Sequence, residues 1–114
     1  MGVGDRVKVG FGSIDTSAVT VAIYELQKGL DGNFIVDSRG ACSPVLKGGV
    51  KGNSFGTIVG EGVNVPKAML KEQAQGAAAM ATDYVKMYPV DFDYYKQVAW
   101  VPMDHLHIIA GPQH

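Results

Sequence analysis

The sequence predicts a mainly β domain: a small barrel of short strands, with an extended first loop or hairpin and one inserted α-helix at about residues 66–85. Three observations lead there. Near both ends of the chain apolar and polar residues alternate, the period of a half-buried strand. Glycines, 15 in 114 residues, crowd the middle, where they permit short and sharply bent strands. The run at about 66–85 is the one convincing helix, with helical spacing over several turns and a proline suited to its first turn. A single domain over residues 1–114 is expected, because this length suits one core and a hydrophobic fraction of 46% is too apolar for a disordered chain.

Taken in order, Gly4-Asp5 opens a strand in which Arg6 and Lys8 face one way and Val7, Val9 and Phe11 the other. Residues 17–30 satisfy two patterns. Val19, Ala22, Ile23, Leu26 and Leu30 fit one helical face, with Asp15 or Ser17 as N-cap and Gly29 as stop. The β-branched start Val19-Thr20-Val21 and the turn signal Asp31-Gly32 favour a hairpin instead, with Phe34 to Asp37 as a strand after it. The hairpin is preferred. From Gly40 to Gly62 the glycines indicate loops, and Gly56-Thr57-Ile58-Val59-Gly60 is the clearest strand among them.

The predicted helix starts at Pro66, which suits a first helical turn because its missing N–H would have no partner there, and Asn64 lies just ahead. Leu70, Ala74, Ala77, Ala81 and Tyr84 form its apolar stripe around Gly76. Tyr88 to Phe92 then alternates as a strand and Asp93 to Gln97 turns. Val98 to Val101 returns until Pro102 breaks it, and Leu106 to Ile109 closes the series.

Three segments together resemble the SH3-like β-barrel superfamily: Gly4 to Val9, Gly56 to Gly60, and Tyr88 to Asp93 leading into Trp100 to Leu106. The resemblance implies a barrel whose last strands are joined by a short 3₁₀-like turn, Pro102 to His105, that delivers Leu106 to the core. It implies nothing specific about activity, since one fold hosts many functions. The departures are two insertions, at about 13–50 and 62–86, and loop elaborations of this kind are where a scaffold acquires its role.

Charge and cysteine content narrow the classes. A net charge of −1, from 10 basic and 11 acidic residues, lacks the basic excess of a phosphate-binding protein, so nucleic acid ranks second as a partner. Cys42 is the only cysteine, which leaves no internal disulfide or cysteine-rich zinc site and suggests a reducing compartment. No apolar run is long enough to span a membrane and Met1 to Arg6 does not read as a signal peptide, so a cytoplasmic location without membrane contact is expected.

Candidate chemistry is sparse. His105 and His107, two apart and on one face if both lie in a strand, are the candidate metal ligands, with His114 or Asp104 as a third. Solvent-facing flanks of an inward Leu106 account for them as well. Gly48 to Ser54 has the flavour of a phosphate loop but leads to a strand, so a hairpin tip is the better reading. Cys42 has no local activator, and Asp37, Asp91 and Asp93 read as turn or strand-face carboxylates. Tyr88, Tyr94, Tyr95 and Trp100 cluster around the last hairpin and are the candidate binding residues, since rings with a polar end suit interfaces.

No catalytic residue and no cofactor is assigned. The expected function is a non-catalytic interaction module that binds a protein partner or its own copies as a homo-oligomer, through the aromatic hairpin and the Ala-rich stripe. The alternatives are a nucleic-acid-binding barrel, using Arg6, Lys8, Lys47, Lys51 and the tyrosines, and a small metal-dependent enzyme using His105 and His107.

Overall fold

A computed structural model describes residues 1–10, 20–70 and 83–111. They form one antiparallel sheet of eight strands: β1 (Arg6–Val9), β2 (Thr20–Leu26), β3 (Pro44–Lys51), β4 (Phe55–Ile58), β5 (Val63–Pro66), β6 (Tyr84–Phe92), β7 (Val98–Pro102) and β8 (Leu106–Ala110). The spatial order is β3-β2-β7-β6-β4-β1-β8, with β5 pairing β6 off this path. Among the described residues no helix is long and apolar enough to cross a membrane.

The sheet is open, where the sequence suggested a closed barrel. Its terminal strands, β3 and β8, each have a partner on one side only. Both are bulged. The β2–β3 register passes from Ile23↔Gly48 to Tyr24↔Leu46, leaving Lys47 as the extra residue, and the β1–β8 register passes from Arg6↔Ala110 to Val7↔Ile108, leaving Ile109. Bulges raise local twist and spoil an edge for further pairing. Asn53 N–H donates to Val9 O (2.7 Å) and Val9 N–H to Ser54 O (2.9 Å), which extends the β1–β4 pairing into the β3–β4 turn, but no ladder forms between β3 and β8.

Two apolar clusters hold the sheet. The first contains Val7, Val9, Val21, Ile23, Ile58, Tyr88, Val90, Phe92, Val101 and Leu106; the second contains Ala22, Tyr24, Leu26, Cys42, Val65, Leu70, Val85 and Met87. Strand side chains alternate between faces, so β2 sends Val21 and Ile23 to the first cluster and Ala22, Tyr24 and Leu26 to the second. A strand buried on both faces loses polar alternation. That is why residues 17–30 fit a helix as well as a strand. Over Thr20–Leu26 the chain is a strand rather than a helix, but its hairpin partner is β3 and not the expected strand Phe34 to Asp37.

The helix predicted at 66–85 is not supported. Pro66 ends β5, Lys67–Met69 is a 3₁₀ turn, Leu70 is extended and buried, and Tyr84 already pairs with Pro66 as the first residue of β6. Residues 71–82 lie outside the described residues. Proline fits the end of a strand for the reason it fits a first helical turn: in both places an N–H is dispensable. The last elements follow expectation. Pro102 ends β7, Met103–His105 is a 3₁₀ turn, and Leu106 enters the core at 5% exposure.

Gly56 sets the spacing of β4 and β6. A Cβ there would lie 2.5 Å from Val90 Cγ1 and 2.8 Å from the Asp91 carbonyl oxygen, and a backbone atom cannot rotate away. Gly56→Ala is expected to destabilise the fold by about 1–3 kcal/mol. The effect reads as a lower urea midpoint with an unchanged m-value; an unmoved midpoint shows that β4 and β6 separate freely.

Candidate binding cleft

The four aromatic residues singled out in the sequence do not share one surface. Tyr88 is buried within the first cluster. Tyr94 and Tyr95 meet edge to face in the β6–β7 turn, with ring centroids 5.2 Å apart. Tyr95 packs on Phe92 and accepts a hydrogen bond from Lys51 N–H at 3.1 Å, whereas Tyr94 stands in solvent. Trp100 lies on β7 against the second cluster, edge to face with Phe34 at 5.9 Å.

Phe34 arrives there through the excursion between β2 and β3. The chain turns twice. The bridge Lys28↔Phe34 closes around Asp31-Gly32, with Gly32 at φ +82°, a conformation open to glycine. The bridge Val36↔Cys42 closes a second turn, in which Asp37 Oδ1 accepts N–H bonds from Arg39 (2.8 Å) and Ala41 (3.0 Å). Phe34 to Asp37 is therefore not the strand its β-branched residues suggest: it has single bridges and no ladder, and Ile35 and Val36 remain exposed. Cys42 N–H donates to Asn64 O at 2.8 Å and ties the excursion to β5.

Between this excursion and the starts of β3 and β7 lies a cleft of about 420 Å³. Phe34, Trp100, Val45 and Val98 supply its apolar surface, and Lys28, Lys47 and Glu25 its charges. Lys28 Nζ sits 5.4 Å from the Phe34 ring centroid, while Lys47, the bulge residue of β3, donates to the Val98 carbonyl at 3.1 Å. Two ammonium groups against one carboxylate leave the rim basic. The arrangement suits an apolar side chain flanked by negative charge. Sequence reading found Trp100 but missed Phe34, Val45, Lys28 and Lys47. The available signal was the apolar trio Phe34-Ile35-Val36 inside a turn-rich stretch.

The other candidates separate. His105 is in the 3₁₀ turn and His107 in β8, so they are not alternate residues of one strand, as the metal reading required. His107 Nε2 lies 3.4 Å from Gly10 O. Among the described residues no group of three His, Cys, Asp or Glu side chains is placed to hold a metal ion, and His114 falls outside them. Gly48 to Lys51 complete β3, and residues 52–54 turn into β4 without a helix. The Cys42 thiol is buried, and burial, then the charge of Asp37, push its pKa up, which disfavours the nucleophilic thiolate.

Asp93 is committed to Arg6 through two bonds, Nη1–Oδ1 at 2.9 Å and Nη2–Oδ2 at 2.5 Å, and Arg6 Nη1 also donates to Thr57 Oγ1 at 2.8 Å. The Arg6 hydrogen bond holds the Asp93 carboxyl below its usual range, and the same bond raises the guanidinium. The contact links β1, β4 and the end of β6. It also neutralises one of the four basic residues proposed for nucleic acid; of the others, Lys47 lines the cleft and Lys51 adjoins the tyrosine turn.

Two measurements check these assignments. Native Cys42 is expected to react with iodoacetamide at least tenfold more slowly than the unfolded chain, and equal rates refute its burial. For Asp93, whose folded pKa is depressed, the stabilisation is full above the ordinary aspartate value of about 3.9 and fades as pH falls through the lower folded value. Asp93→Asn should therefore cost up to about 1 kcal/mol near neutrality and progressively less in acid, by urea unfolding across pH; a pH-independent difference counts against the pair.

Comparison with protein-family models, with curated proteins and with solved structures finds no match for this chain, so its geometry carries the functional reading.

Proposed function

We propose that this chain is a non-catalytic interaction module that binds a protein partner or a second copy of itself, with the Phe34–Trp100 cleft as the contact site. The observation that carries this reading is the cleft itself, in which Phe34, Trp100 and two valines share the lining with Lys28, Lys47 and Glu25. A central aromatic anchor ringed by polar groups is the arrangement in which a few side chains supply most of the binding energy. Trp100 is braced from behind by the second cluster, so its ring is held before a partner arrives and less ordering cost falls on binding. The charged rim steers rather than anchors.

The likeness to SH3-like barrels belongs to the same proposal. It is supported by β1 after Gly4-Asp5, the glycine-bearing β4, and the 3₁₀ turn ahead of Leu106. The open edges at β3 and β8 depart from it.

Selection of random displayed peptides on the immobilised full chain tests the cleft. Enriched peptides are expected to bind at least tenfold more weakly to Phe34→Ala and Trp100→Ala variants that retain the wild-type near-ultraviolet circular dichroism outside the tryptophan region. No enrichment on a chain that is also strictly monomeric, or enrichment indifferent to both substitutions, overturns the reading.

A further inference from the structure

Resting on that reading, we infer that the occupant of the cleft is a second copy of this chain: Leu30 of one copy enters the Phe34–Trp100 cleft of the other, Asp31 meets the basic rim, and the exchange is reciprocal. Leu30 stands fully in solvent at the tip of the first turn of the excursion (relative exposure 112%), an apolar side chain with no contact to lose. Next to it, Asp31 is fixed rather than free. Its Oδ1 accepts Asn33 N–H at 3.0 Å and its Oδ2 accepts Asn33 Nδ2 at 3.2 Å. These bonds also hold the carboxyl below its usual range, so the tip presents a leucine beside a permanent negative charge near neutrality. The cleft offers the complement, a hollow of about 420 Å³, roomy enough for a leucine side chain, in which Phe34 and Trp100 supply apolar surface and Lys28 and Lys47 outnumber Glu25.

Tip and cleft belong to the same turn. Lys28 and Phe34 form the bridge that closes it, and Leu30 and Asp31 are its apex. A two-fold axis that lays one apex over the other copy's base therefore makes both contacts at once, the self-complementary condition of an isologous dimer. The sheet edges offer no competing straight ladder, because β3 is bulged at Lys47 and β8 at Ile109.

Sedimentation velocity on the full chain from micromolar to millimolar concentration tests this. Emission from Trp100, the only tryptophan, is followed over the same range. The expected result is a monomer–dimer equilibrium whose midpoint matches a shift in Trp100 emission and moves to higher concentration with added salt. Leu30→Ser and Asp31→Lys should each weaken association about tenfold or more. Lys28→Asp combined with Asp31→Lys should recover most of the Asp31→Lys loss, which a merely structural role for Asp31 would not allow. A monomer throughout, a dimer indifferent to Leu30→Ser and Asp31→Lys, or a dimer that leaves Trp100 emission unchanged overturns the inference. A monomer that still binds selected peptides through Phe34 and Trp100 overturns this occupant alone and leaves the cleft as a contact site. Absence of both dimer and peptide binding removes both.

Discussion

Strand β6 has both edges paired and both faces buried, and the rest of the molecule is arranged around that requirement. Along one edge it pairs with β7 from Met87 to Asp91. Along the other it takes two partners in succession, β5 at Tyr84 to Met87 and β4 at Val90 to Phe92. One face sends Tyr88, Val90 and Phe92 to the first cluster, and the other sends Val85 and Met87 to the second. Two strands share one edge of β6 only because the intervening chain comes in close: a Cβ at Gly60 would lie 2.9 Å from Pro89 Cγ, and one at Gly62 would lie 2.6 Å from the Lys86 side chain.

The second cluster connects this scaffold to the cleft. Cys42 is buried in it, and its N–H is bonded to Asn64 of β5, so the excursion is tethered at its base while its tip stays in solvent. Trp100 packs against the same cluster and turns its ring to Phe34. One side chain thus closes the core and opens the cleft. Lys47 depends on the same arrangement, because the bulge that spoils the β3 edge leaves it as the extra residue, and its ammonium reaches Val98 of β7.

Burial and charge divide the molecule by chemistry. Three of the reactive groups serve structure: Asp93 pairs with Arg6, Asp37 closes a turn, and Cys42 lies in the core, where burial disfavours its thiolate. Leu30, Phe34, Ile35, Val36, Val45 and Val98, on the excursion and beside it, are exposed, as are apolar residues elsewhere such as Phe55, Met69, Ile108 and Ile109; it is the hollow between Phe34 and Trp100 that sets the first group apart.

The sequence by itself determined the local elements: β1 and β4 from alternation and flanking glycines, the Asp31-Gly32 turn from its backbone demand, and the Pro102 break with the 3₁₀ turn that seats Leu106. Each is decided within a few residues, so each leaves a local trace. The tertiary structure alone decided that β2 is buried on both faces and that Pro66 ends a strand rather than starting a helix. It also decided that the sheet stays open, and that Trp100 meets Phe34 while the tyrosines lie elsewhere. These outcomes depend on pairings between distant residues, as Arg6 with Asp93 across 87 positions shows. Periodicity records whether a face is buried, but it carries no record of which segment buries it.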